Sequence, residues 1–252
     1  MFAVELCFHG DLSGFLATRW RGGEVVLREL NERASVKDVI ESCGIPHGEV
    51  DLIAGLDSVG DAVRALDLDD VVATPVKLVI YPVPAPVEVL PAAPRLQPRQ
   101  ADRFIADCHL GALVRHLRLL GIDVAYERDA TDERLLEIMI AEDRTLLTRD
   151  RRLLMHSVVR CGYCPRSDGP EEQAHEVLRR FSCLRLAPWS RCLRCNAAVH
   201  AVTKEEVVGE LVDEPRTLRY YNEFFRCSGC GRIYWRGSHA EKLAARLARL
   251  QA

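Results

Sequence analysis

Two segments decide the fold: Arg103–Asp123, R-F-I-A-D-C-H-L-G-A-L-V-R-H-L-R-L-L-G-I-D, and Arg144–Leu154, R-T-L-L-T-R-D-R-R-L-L. Phe104 to Ala106 is a short apolar run of the kind that makes a buried strand, and an acid, Asp107, ends it. Thr145 to Thr148 repeats the pattern and ends in Asp150. Two parallel strands that deliver carboxylates at their C-terminal ends, with helices between them, make a crevice for a ligand or metal at the sheet edge. Leu110, Leu113, Val114, Leu117 and Leu120 recur at helical spacing, which predicts a helix over 110–120 stopped by Gly121. Arg115 and Arg118 lie three apart and share a face of it. Ile122 to Tyr126 reads as a strand, Thr131 or Asp132 as the cap of a helix over 133–142, and Val158 to Cys161 as another strand. Asp168 then precedes a helix from Pro170 to Phe181. Strands alternating with helices predict an α/β sheet.

Upstream, residues 82–101 hold Pro82, Pro84, Pro86, Pro91, Pro94 and Pro98. So many prolines exclude helix and central strand, and they predict an extended, semi-rigid linker over 84–101. Residues 1–83 form a unit of their own. Ala3 to Phe8 alternates like a half-buried strand, Glu24 to Leu30 gives a second, and Ser35 caps a helix from Val36 to Cys43 that Gly44 stops. Val76 to Pro82 is a final strand. Hairpin, helix and returning strands are the order of an α+β β-grasp fold. This unit resembles the ubiquitin-like and sulfur-carrier proteins, chiefly through S-V-K-D-V-I-E-S-C-G-I-P-H-G-E-V. Those proteins act through a free C-terminal Gly-Gly, whereas this chain runs on through Pro82. A docking or specificity module, contacting a protein partner, and a stabilising appendage both fit.

Downstream the texture changes. Cys192-Leu193-Arg194-Cys195 and Cys227-Ser228-Gly229-Cys230 are two matching C-x-x-C knuckles. Two such turns complete a tetrahedral thiolate site with no open position, so the metal is structural. Zinc is expected, and a rubredoxin-like iron is the rival. Residues 189–252 are expected to hold this ribbon, with a strand pair between the knuckles, and a last helix from Ala240 to Leu250. The third pair, Cys161 and Cys164, has no matching partner and reads as incidental thiols ahead of a redox pair. Asp107, Asp132, Asp150 and Asp168 each follow or open an element, and clustered carboxylates are best explained by Mg²⁺ or Mn²⁺ bound through oxygen. Arg115, Arg118, Arg149, Arg151 and Arg152 near such acids suit a phosphate-bearing substrate. Arg191, Arg194, Arg226, Arg232 and Arg236 with Tyr234 and Trp235 give the ribbon a basic and aromatic character that nucleic-acid surfaces use.

The net charge of −3 excludes a generally basic nucleic-acid binder, so any such contact is a local patch. Met1 leads into Phe-Ala-Val-Glu with no basic region before an apolar run, and no run is long enough to span a membrane. A cytoplasmic protein is expected, and six of the ten cysteines in C-x-x-C pairs then favour metal over disulfides.

F-I-A-D-C-H-L-G-A-L-V-R-H-L-R-L-L-G-I-D, T-D-E-R-L-L, L-L-T-R-D, R-C-L-R-C-N and R-C-S-G-C-G-R-I-Y-W-R-G-S-H together resemble the Mut-seven C-terminal RNase family over about residues 102–240. The resemblance implies a PIN-like nuclease domain over 102–188 followed by the zinc ribbon, and in many bacterial members a ubiquitin-like domain precedes the nuclease. It implies Mg²⁺- or Mn²⁺-dependent RNA hydrolysis by Asp107, Asp132, Asp150 and Asp168, with the ion on Asp107 and Asp150. PIN-like analogy gives products with 5′-phosphate and 3′-hydroxyl ends. Arg115, Arg118, Arg149 and Arg236 are expected on the RNA, which includes structured transfer RNA as a guess, and Cys192, Cys195, Cys227 and Cys230 on zinc. The alternative is a non-catalytic RNA-binding or adaptor protein with a structural ribbon. A weaker alternative is a sulfur-transfer or redox protein working through Cys161 and Cys164.

Overall fold

The computed structural model describes residues 1–23, 25–56, 63–181, 184–235, 245 and 248. Alternation in β1 (Phe2–Phe8) turns Val4 and Leu6 inward, and β1 pairs antiparallel with β2 (Val26–Leu30). After β3 (Ala34–Ser35), the Ser35 hydroxyl accepts from the Asp38 N–H at 3.0 Å and starts α1 (Val36–Glu41). The helix buries Val36, Val39 and Ile40 and stops before Gly44, whose φ of +97° is a glycine conformation. β4 (Val50–Leu56), β5 (Val63–Leu66), β6 (Val71–Val72) and β7 (Val76–Pro82) follow. β7 lies parallel to β1 and antiparallel to β4, giving a mixed sheet in the order β2-β1-β7-β4-β5. This is the expected β-grasp arrangement of a ubiquitin-like domain.

The proline-rich segment departs from the expected extended linker. The Asp51 carboxylate accepts from the Ala85 N–H (2.8 Å), the Asp51 carbonyl accepts from the Leu96 N–H (2.9 Å), and Gln97 Nε2 donates to the His47 carbonyl (3.1 Å). Ala85 and Gln97 are buried. Proline removes backbone donors, but the N–H groups between the prolines still find acceptors, and these fasten the segment to the β-grasp unit.

The second half runs β8 (Arg103–Ala106), a 3₁₀ turn, α2 (Gly111–Leu119), β9 (Asp123–Ala125), α3 (Asp132–Ala141), β10 (Thr145–Leu147), α4 (Arg151–Leu154), β11 (Gly162–Tyr163) and α5 (Pro170–Arg180). The strands form an all-parallel sheet in the order β11-β10-β8-β9. From β8 the chain moves outward to β9, then crosses back to β10 on the other side. The order therefore reverses between β8 and β10, where open α/β sheets bind ligands. Thr131 is the cap of α3, accepting from the Arg134 N–H at 3.3 Å. The strand expected over Val158–Cys161 lies later, at β11, because the Val159 N–H first closes a turn on the His156 carbonyl (2.9 Å). Gly121 follows α2 at φ +85°, and a Cβ there would sit 2.0 Å from the Ala187 carbonyl oxygen, so only glycine fits.

β12 (Val199–Val202), α6 (Lys204–Val207), α7 (Pro215–Tyr220), β13 (Phe224–Cys227) and β14 (Ile233–Trp235) complete the description. The strand pair expected between the knuckles is β12 and β13, which pair antiparallel; two short helices, the second opened by Pro215, connect them, and β14 joins them in one sheet. Of the expected last helix only Ala245 and Ala248, both helical, are described, and Arg236 lies outside the described residues. One apolar core joins Leu12, Phe15 and Ile40 of the β-grasp unit with Leu135, Leu153 and Leu154 of the parallel-sheet domain. A second core, including Leu113, Leu117, Val177 and Phe181, belongs to the parallel-sheet domain. Among the described residues no helix is long and apolar enough to cross a membrane.

Candidate active site and metal centre

Asp107 and Asp150 follow the ends of neighbouring strands, so the parallel register of β8 and β10 brings them to one side of the sheet. A buried threonine couples them. The Thr148 hydroxyl donates to Asp107 Oδ2 (2.8 Å) and accepts from the Asp150 N–H (2.9 Å). Asp107 is only 6% exposed, and its Oδ1 faces the His109 N–H at 3.5 Å. Asp150 caps α4, its Oδ1 accepting from the N–H groups of Arg152 (2.7 Å) and Leu153 (3.3 Å). Asp132, the first residue of α3, faces both from across the crevice. Partial burial pushes its carboxyl above the usual range, and the charges of Asp150, Asp107 and Glu133 push it the same way.

These acids line a cleft of about 950 Å³, at the upper end of ligand-site sizes. Arg149, Arg151 and Arg152 also line it, with Cys108 and His109. The ligand atoms of Asp107, Cys108 and His109 lie within 4.8 Å of one another. The Asp107 carboxylate takes a hydrogen bond from the Cys108 thiol and raises its pKa. The three aspartates do not form so tight a group among the described residues. Carboxylate oxygens are the donors a hard ion such as Mg²⁺ takes, one or two directly with waters completing its shell.

The other expected site residues are placed elsewhere. Asp168 does not line the cleft among the described residues; it is exposed, and its Oδ1 lies 3.1 Å from both terminal nitrogens of Arg149. Arg115 is exposed and also stands outside the cleft. Arg118 is 3% exposed and does not line the cleft. Its Nε and Nη2 donate to the Val124 carbonyl (3.1 and 2.8 Å), and its Nη1 donates to the carbonyls of Leu193 and Arg194 (3.2 and 2.8 Å). A guanidinium spent on three carbonyls braces the first knuckle rather than gripping a substrate.

The four knuckle cysteines come together. Sγ atoms lie 3.7 Å apart for Cys192 and Cys230 and 3.4 Å for Cys195 and Cys227, and all four fall within 4.8 Å. A tetrahedron with Zn–S bonds of ~2.3 Å has edges of ~3.8 Å, so the thiol set fits a zinc ion. Two of the ribbon's basic residues are engaged: Arg226 with Glu210 (2.7 Å), and Arg191 with Asp123 (3.2 Å) and the Asn196 carbonyl (3.2 Å). Tyr234 Oη lies 3.1 Å from Cys192 Sγ. Burial pushes the Cys161 thiol up and Cys164 up to about 11, so near neutral pH both are the unreactive thiol form.

Sequence reasoning missed Thr148, Cys108, His109 and the far wall of the cleft. That wall is Phe15, Ala17, Glu41, Ser42 and Gly44 of the β-grasp unit. Arg151 fastens it, donating from Nη1 to the Phe15 carbonyl (2.7 Å) with its guanidinium 5.0 Å over the Phe15 ring.

A family model described as the Mut7-C RNAse domain matches residues 102–247, and one described as Mut7-C ubiquitin matches residues 1–83. No curated protein and no solved structure matches the chain.

Proposed function

The chain belongs to the Mut7-C RNAse family, and from that premise we propose that it is a metal-dependent ribonuclease that hydrolyses RNA phosphodiester bonds at the Asp107–Asp132–Asp150 cleft. The observation that carries this reading is the Thr148 hydroxyl, which links the Asp107 carboxylate to the Asp150 backbone N–H at the switch point of the sheet. A bound Mg²⁺ or Mn²⁺ would supply a Lewis acid and an activated water. Asp107, oriented by Thr148, and Asp150, oriented by the start of α4, would hold that ion. Asp132, with its raised proton affinity, would exchange a proton with the attacking water or the leaving oxygen. Arg149 and Arg152 would hold phosphate oxygens at the rim, with Arg149 and Asp168 parting to admit the backbone. Arg118 and the zinc on Cys192, Cys195, Cys227 and Cys230 are structural in this scheme.

The test is cleavage of end-labelled unstructured RNA and transfer RNA by the wild type and Asp107→Asn, each with Mn²⁺, with Mg²⁺ and with chelator. Metal-dependent products from the wild type, reduced at least a hundredfold in the variant, are expected. RNA bound by both proteins without products replaces the nuclease with an RNA-binding adaptor.

A further inference from the structure

The cleft wall supplied by the β-grasp unit continues into a turn that the nuclease chemistry does not use. Ala17 lines the cleft, and the next residues, Thr18–Trp20, form a 3₁₀ turn. The Arg19 guanidinium stands 4.0 Å over the Trp20 ring, and that of Arg28 lies 5.3 Å from the same ring. Arg19 and Arg21 are exposed, Trp20 is half-buried, and Arg21 Nε donates to the Leu16 carbonyl at 3.0 Å, fixing the turn beside the wall. Stacked guanidinium and indole groups beside further cations are what single-stranded nucleic acid uses: phosphates pair with arginine, and unpaired bases stack on aromatic or guanidinium planes. The ribbon was the expected basic and aromatic surface, but Arg191 and Arg226 there are already held by carboxylates.

We propose that the Ala17–Arg21 turn of the ubiquitin-like domain is a binding track for single-stranded RNA, continuous with the catalytic cleft. Arg19 and Arg21 take backbone phosphates, and the Arg19–Trp20 stack takes a base. The occupant follows from continuity with the cleft and from the sign of the charge. The proposal rests on the nuclease reading above. The ubiquitin-like domain then selects substrate directly, as part of the active site.

The experiment uses the full chain carrying Asp107→Asn, so that RNA is bound without being cut. Binding of a fluorescein-labelled unstructured RNA is followed by anisotropy across a potassium chloride series. Arg19→Gln should weaken binding several-fold and flatten the plot of log affinity against log salt by about 0.7, one phosphate contact on a single strand. Trp20→Leu should weaken it by about tenfold with the salt slope unchanged. Trp20 packs against the core, so Arg19→Gln, at an exposed position, keeps the test decisive if Trp20→Leu does not fold. In the chain with Asp107 intact, Arg19→Gln should raise KM and leave kcat unchanged. RNA bound with wild-type affinity and slope by Arg19→Gln overturns the track and leaves the nuclease reading standing. RNA neither bound nor cut by the wild type overturns both.

Discussion

The parallel sheet has two edges, and the chain covers them by different physics. At the β11 edge sits the β-grasp unit, joined through a shared apolar core and buried charge. Glu49, 3% exposed, accepts from the Cys164 N–H (2.7 Å) and from Arg166 Nη2 (2.8 Å), and Arg166 Nε lies 2.9 Å from Asp11. Both ring nitrogens of His47 lie against oxygens, Glu41 Oε1 at 2.6 Å and the Val159 carbonyl at 2.6 Å. At the β9 edge sits the ribbon, held by polar spokes beside a smaller apolar contact, Trp189 and Leu193 on the domain's second core. Asn196 accepts from the Val124 N–H (3.1 Å) and donates to Asp123 (2.7 Å), while Arg118 reaches the knuckle carbonyls. Its own core, around Val207, Leu211 and Phe224, is separate. An apolar joint cannot open without exposing core, whereas hydrogen-bonded spokes can be exchanged for water at modest cost. The edge beside the cleft is the one closed by the stronger joint.

The contrast can be broken from either edge. The largest effect is expected from Glu49→Ala, which leaves the half-buried Arg166 guanidinium and the Cys164 N–H without their main partner. It should cost about 3 kcal/mol and lower the melting temperature by roughly 10 °C in thermal melts. Arg118→Met strands three carbonyls at the other edge. About 2 kcal/mol is expected, with zinc lost to a chelator faster than from the wild type, read by a colorimetric zinc assay. Asn196→Ala removes two spokes and places alanine at φ +71°, so about 1 kcal/mol of lost stability is expected; Asn196→Gly should recover part of it. The smallest effect is acid loosening of the ribbon edge. Burial pushes the Asp123 carboxyl up, but hydrogen bonds from Arg144 and Asn196 and the charges of Arg144 and Arg191 outweigh it and hold its pKa below the usual range. Its contribution is then full above the ordinary carboxylate pKa of ~3.9 and lost as pH falls through the lowered folded value. Exchange of the Val124 amide should accelerate in that window; an unchanged rate would remove Asp123 from the joint.

Asp107 and Asp150 were legible because each stops an apolar run, a pattern with few structural uses. The four-cysteine cluster was legible because the spacing of its two knuckles alone fixes the bite of two thiolates. Thr148 was invisible, since a threonine closing a strand looks like an ordinary β-former until its hydroxyl is seen between the Asp107 carboxylate and the Asp150 backbone N–H. Arg118 was misread for a related reason: sharing a helical face with Arg115 does not reveal that carbonyls of the ribbon, far along the chain, take its guanidinium. The cleft wall could not be read at all, because nothing local in Phe15 or Gly44 announces an acid more than sixty residues downstream.

The shared core also has a consequence in time. On a translating ribosome the β-grasp unit is finished first, with Leu12, Phe15 and Ile40 built to meet side chains such as Leu153 and Leu154 that do not yet exist. At roughly 5–20 residues per second, that face waits on the order of ten seconds for its cover. The early half therefore emerges as a sticky template on which the later half must condense, and the nascent chain is most vulnerable to aggregation in that interval.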